Sequence, residues 1–118
     1  MADPSDLMKA MRGDKNLMDA DLRDADLMDA DLRRAIMMDA DLSGANLSGV
    51  NLIGARLSGA NLSGANLSGA DLSDAHLRRA NLSGADLSGA DLSHADLLGA
   101  NLKGTKMPEG WEFIVRDH

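Results

Sequence analysis

Leu recurs every five residues, without a slip in phase, from Leu17 through Leu22, Leu27 and Leu32 to Leu102. Of the eighteen five-residue units between Lys15 and Gly104, seventeen are centred on Leu and one on Met37, a side chain of similar volume. Ala stands two residues before the centre in every unit except those beginning with Lys15 and Val50, and Asp or Asn almost always lies between. A period of five matches neither the 3.6 of a helix nor the 2 of a strand, so neither element keeps all these Leu side chains on one buried face. The chain must turn once in every unit. With each unit as one side of a square, four units close a coil, and the central Leu and the preceding Ala both point into a narrow interior. The units then make about four and a half coils, a rod roughly 22 Å long at the inter-strand spacing of about 4.8 Å. Each buried Leu contributes on the order of 1.5–3 kcal/mol, offset by the ordering of the backbone.

The motif Ala-(Asp/Asn)-Leu-(Ser/Arg)-(Gly/X), as in Ala60, Asn61, Leu62, Ser63 and Gly64, resembles the pentapeptide repeat family. The resemblance covers about three quarters of the chain and implies an all-β solenoid, a right-handed quadrilateral parallel β-helix. It leaves activity open, because one architecture serves many roles.

Composition agrees with a small aliphatic interior. With one Trp, one Phe, no Tyr and no Cys, the chain has no large aromatic anchors for a core and no disulfides or thiolate metal sites. Its 118 residues suffice for one small domain, so any activity belongs to one unit or its oligomer. Nineteen acidic residues against twelve basic ones give a net charge of −7, which argues against direct electrostatic binding to nucleic acid or to an anionic membrane. No apolar run approaches the roughly 18 residues of a membrane span, and the opening Met1 to Asp6 lacks the marks of a signal peptide. A cytoplasmic location is expected.

Corners and ends follow from the same pattern. Gly closes ten of the eighteen units, where a corner calls for positive φ. The first five units close instead on Asp19, Asp24, Asp29, Arg34 and Asp39, which predicts a different corner geometry for the opening coil. Open solenoid ends need covers. Asp3, Pro4 and Asp6 read as an N-cap, a first-turn proline and a first-turn acid, with Leu7, Ala10 and Met11 at helical spacing and Gly13 as the stop. Residues 1–14 are therefore expected to form a short N-terminal capping helix, 15–107 the β-helix, and 108–118 a C-terminal tail. The tail carries Trp111, Phe113, Ile114 and Val115, expected to cover the last coil. The alternative, implied by the resemblance, is a homodimer seam at this C-terminal end.

No catalytic constellation is visible, because His76, His94 and His118 lie far apart in coil position and none has a nucleophile or an oriented partner at a known spacing. No enzyme activity and no cofactor are expected. Eight Asp fall between Asp19 and Asp41, but without a calcium-loop signature they read as a solvated acidic rim and not as a metal site. A Ser row such as Ser43, Ser63 and Ser83 is an ordinary hydrated wall. Sorting units by position within the coil is more informative. The residue before the centre is neither Asp nor Asn at only three units, those of Ile36, Arg56 and His76, and all three fall on one wall. The same wall carries Met18, Met38, Arg78, Arg79 and Leu98, residue types found at protein interfaces.

Two functions fit these features. The first is a non-catalytic scaffold or interaction module that presents this wall to another protein. The second is DNA mimicry, because the resemblance extends to quinolone-resistance members that imitate a duplex and inhibit or protect DNA gyrase. Asp21, Asp26 and Asp31 of the opening coil are its candidate acids. Within residues 15–104, thirteen Asp against eight Lys or Arg leave −5, whereas a duplex of about 22 Å carries roughly −13. The chain also lacks the Phe centres of those relatives.

Overall fold

The computed structural model describes residues 1–111. Parallel bridges join residues twenty apart in four columns, one per wall: from Asn16, Asp21, Asp26 and Asp31 upward to Asp96, Asn101, Lys106 and Asp91. Each wall is one bridged residue wide and is followed at once by a turn. We number the walls one to four in chain order, so that wall one holds Asn16, Ile36, Arg56, His76 and Asp96.

One unit shows why this sequence makes this turn. Asn61 N donates to Ala40 O below (2.9 Å), while Leu62 N and Gly64 N donate to Asn81 O and Ser83 O above (2.7 and 2.9 Å). Ala65 N closes the corner onto Leu62 O (3.0 Å). That leaves the amide of Ser63, which finds no carbonyl and donates instead to Asn61 Oδ1 at 3.0 Å. An Asp or Asn before the centre is thus a structural requirement, since a backbone donor without a partner costs free energy. In several units the Ser hydroxyl donates to the same oxygen, as Ser73 does to Asp71 at 2.7 Å.

These bonds set an acid limit. Hydrogen bonds from the hydroxyl and then the amide of Ser88 and Ser93 hold the carboxyls of Asp86 and Asp91 below their ordinary value. A carboxyl with a lower pKa in the folded chain adds stability above its unfolded value and withdraws it as the pH falls through the folded one. The thermal midpoint, followed by circular dichroism, is therefore expected to hold from neutral pH down to about pH 4 and to fall below it.

The interior is continuous and wholly apolar. The central Leu residues from Leu22 to Leu87 are at most 1% exposed, the Ala column beside them is buried, and no polar or charged group is buried among the described residues. Leu97 and Leu102 of the last units are only partly buried.

The corners correct the expectation of two geometries. Asp19, Asp24, Arg34 and Asp39 adopt φ of 57 to 60°, in the same left-handed region as Gly64 at 67°. Asp29 is the exception among the repeat corners, although Ala30 N still donates to Leu27 O. Stacking on the next coil and the Leu-to-Ala turn impose the left-handed corner at every unit but the one ending in Asp29, and the residue accepts the strain, roughly 1–2 kcal/mol for a side chain that is not Gly.

Helix α1 spans Pro4–Met11, with Pro4 at its start and Gly13 at φ 86° just past its end. Asp3 sits at the N-cap but makes no side-chain cap bond. Instead Asp3 N donates to Asp21 O (3.0 Å) and Asp21 N donates to Asp6 Oδ2 (2.8 Å), so both ends of the helix entry pair with the open edge of wall two. Ala10 is buried and Leu7 packs against the core. At the other end Trp111 N donates to Pro108 O, and Trp111 lines a cavity of about 290 Å³ with Leu92 and Pro108. Phe113, Ile114 and Val115 lie outside the described residues.

Candidate functional site

Wall one departs from the rule that builds the other three. Ile36, Arg56 and His76 are bridged in succession, so the three non-Asx positions stand directly above one another. None of them supplies the carboxylate or amide oxygen that elsewhere takes the amide two residues on. Met18 N and Leu98 N, at the two ends of the same wall, do donate to Asn16 Oδ1 and Asp96 Oδ1 (3.3 and 3.1 Å). Between them, the amides of Met38, Ser58 and Arg78 have no hydrogen-bond partner among the described residues. Each lost bond forgoes about 0.5–1.5 kcal/mol. In exchange, three side chains are released from bracing the turn and extend from the wall.

The released side chains and their neighbours form a mixed apolar and cationic face. Arg56, His76 and Arg79 are exposed, Ile36 and Met38 are half-buried, and Met18 and Leu98 project at 48% and 65% exposure. Arg78 Nε donates to Asp96 Oδ2 at 2.5 Å, which holds the Asp96 carboxyl below its ordinary value. A groove runs along each edge of the wall. One, of about 410 Å³, lies over Met38, Asp39, Ser58, Gly59, Arg78 and Arg79. The other, of about 460 Å³, gathers Ile36, Arg56 and His76 with Arg34, Ile53, Gly54 and Asp74 from across the corner. Arg34 and Ile53 escape a reading of the position before the centre. Their signal is the same kind of departure one wall earlier: Ile53 stands where wall four elsewhere has Arg33, Ser73 and Ser93, and Arg34 takes a corner position.

The acids of the opening coil are arranged differently. Asp21, Asp26 and Asp31 belong to three successive walls and do not share a face. Arg23 makes a two-pronged pair with Asp21 (2.8 Å to each oxygen) and Arg33 with Asp31 (2.9 and 2.7 Å). Each arginine holds its partner's carboxyl below the usual range through those hydrogen bonds. Among the described residues Asp26 accepts only the amide of Met28. His94 is a corner residue of wall four, in the same corner column as Arg34, Gly54 and Asp74 and so across the corner from the wall of His76. No three His, Asp or Glu side chains converge on a metal-sized site among the described residues. No helix among them is long and apolar enough to cross a membrane.

The pentapeptide repeat family model, eight copies of the repeat, matches residues 16–52, 35–74 and 70–107. Among solved structures, a pentapeptide repeat protein from the thylakoid lumen of Arabidopsis thaliana is 33% identical, with a TM-score of 0.60 over 79% of this chain and 61% of its own. The pentapeptide repeat protein Rfr23 from the cyanobacterium Cyanothece 51142 is 40% identical, with a TM-score of 0.52 over 71% of this chain and 61% of its own. This chain therefore spans less than two thirds of either. These neighbours imply that the coils wind as a right-handed β-helix. QnrB1, a plasmid-mediated fluoroquinolone resistance protein, is 26% identical over 80% of this chain and 60% of its own, with a TM-score of 0.39, too low to bear on function. The search of curated proteins finds no match.

Proposed function

This chain belongs to the pentapeptide repeat family, and on that premise we propose that it is a non-catalytic interaction module whose wall one binds another protein. The rod has about four and a half coils, closed at its start by residues 1–14 and followed by the tail 108–118. It acts in the cytoplasm, without cofactor or metal, and neither nucleic acid nor membrane is its direct partner. The observation that carries this reading is the run of Met38, Ser58 and Arg78 amides left without the side-chain acceptor that other units supply. A stack that gives up its own bracing at three consecutive coils, and gains exposed Arg56 and His76 beside apolar Ile36 and Met38, has the composition of a contact surface. The test is the triple variant Arg56→Ser, Arg78→Ser and Arg79→Ser. The partner that the wild-type chain recovers from its source cells, once purified and titrated, is expected to bind the variant at least about tenfold more weakly. Equal affinity would refute the reading.

The acidic opening coil favours a second reading, mimicry of DNA toward gyrase or another DNA-binding protein. Pairing of Asp21 and Asp31 with their own arginines weighs against it. A gyrase supercoiling assay separates the two: inhibition that persists at moderate salt supports mimicry, and no effect supports the interaction module. A molecular mass by light scattering that stays at the monomer value at every concentration would remove the homodimer seam.

A further inference from the structure

We infer that the groove between wall four and wall one takes an acidic segment of a partner protein, with an apolar residue between its acids. This rests on the reading of wall one as the binding face and names the chemistry that the face accepts. The groove is floored by Ile36 and Ile53, and an added Cβ at Gly54 would stand 3.4 Å from Arg34 Cγ, so the stem of Arg34 lies across the glycine gap. A second depression of about 630 Å³ continues from it, sharing Arg34 and Ile53 and reaching Lys15 and Arg33.

Two arginines unpaired among the described residues share this groove, whereas the groove at the opposite edge holds one, Arg79, beside the paired Arg78. In a chain of net charge −7, Arg33 is tied to Asp31, Arg23 to Asp21 and Arg78 to Asp96, while Arg79, at the opposite edge of wall one, has no ion pair among the described residues. The guanidinium groups of Arg34 and Arg56 have no ion-pair or hydrogen-bond partner among the described residues. They line one groove together with Ile36 and Ile53. A planar guanidinium is suited to a carboxylate in two-pronged geometry, and an apolar residue between two acids would cover the isoleucines. A nucleic acid fits less well. It would bring one phosphate charge per about 1.7 Å of duplex along a strip that also holds Asp31 and Asp74.

The test titrates a labelled peptide of repeated Asp-Leu-Asp triplets, followed by fluorescence anisotropy, with single-stranded oligothymidylate as the comparison. Saturable binding is expected, weakened by salt and reduced at least about tenfold in the double variant Arg34→Ser, Arg56→Ser. Gly54→Asn fills the gap at a φ that Asn tolerates, and is expected to lower affinity with the far-UV spectrum unchanged. Lys103→Ser, on wall two, should leave the peptide bound. Absence of saturation at about 1 mM peptide, the weak limit of measurable affinity, would overturn the inference. So would undiminished binding to the double variant, or tighter binding of the oligonucleotide. Should the peptide fail while the Arg56, Arg78 and Arg79 variant still loses its recovered partner, the acidic class falls and wall one stands as the binding face.

Discussion

Leu62→Asp is expected to abolish the cooperative thermal transition of this chain. Leu62 is fully buried, and no polar or charged group is buried anywhere in the described interior. A carboxylate placed there would have no partner and no water. Leaving a buried charge uncompensated costs about 3–5 kcal/mol, and loss of Leu packing adds about 2–5 kcal/mol. Together they rival the whole stability of a small domain, about 5–15 kcal/mol. Because each coil contacts only its neighbours, a fault at the centre of the stack separates two short halves, neither with many coils of its own. The same change at Leu102, which is only partly buried, is expected to leave a transition with a lowered midpoint. Circular dichroism melts of the two variants make the comparison, and equal midpoints would contradict a continuous apolar interior.

Register deletions are expected to separate folding from binding. Removing residues 65–69 takes out one whole unit, and every later Leu still reaches the interior because the period of five is kept. The rod should fold with a transition close to that of the parent chain. Removing residues 65–67 shifts every later Leu by three positions and turns them out of the interior, so the later coils should not form. The two deletions differ by two residues, yet the smaller one is expected to be far more damaging. In the five-residue deletion, the units after the cut rotate by one wall. His76, Arg78 and Arg79 move to wall four, and Asn81 comes to stand above Arg56.

Much of this was legible in the sequence because the repeat tolerates no phase error. The period of five dictated the twenty-residue ladder, and the position before the centre brought Ile36, Arg56 and His76 into one column, where the bridges place them. The corners were not legible from residue type. Arg34, Arg79 and His94 take left-handed φ that their side chains disfavour, because stacking imposes that corner on every unit but the one ending in Asp29. Arg34 and Ile53 were missed for a related reason: a sort by wall separates residues that face each other across a corner. The Asx rule itself needed coordinates, since only the full hydrogen-bond accounting of Asn61 to Ala65 shows which amide lacks a backbone carbonyl. Ile36, Arg56 and His76 accordingly leave three turns unbraced.

The affinity of the recovered partner for the chain lacking residues 65–69, read beside its thermal transition, tests the role of wall one most directly. The account predicts a retained transition and an affinity at least about tenfold weaker, because the interior is unchanged while the column above Arg56 is replaced. A retained transition with undiminished affinity would contradict it, showing that the partner does not read this wall.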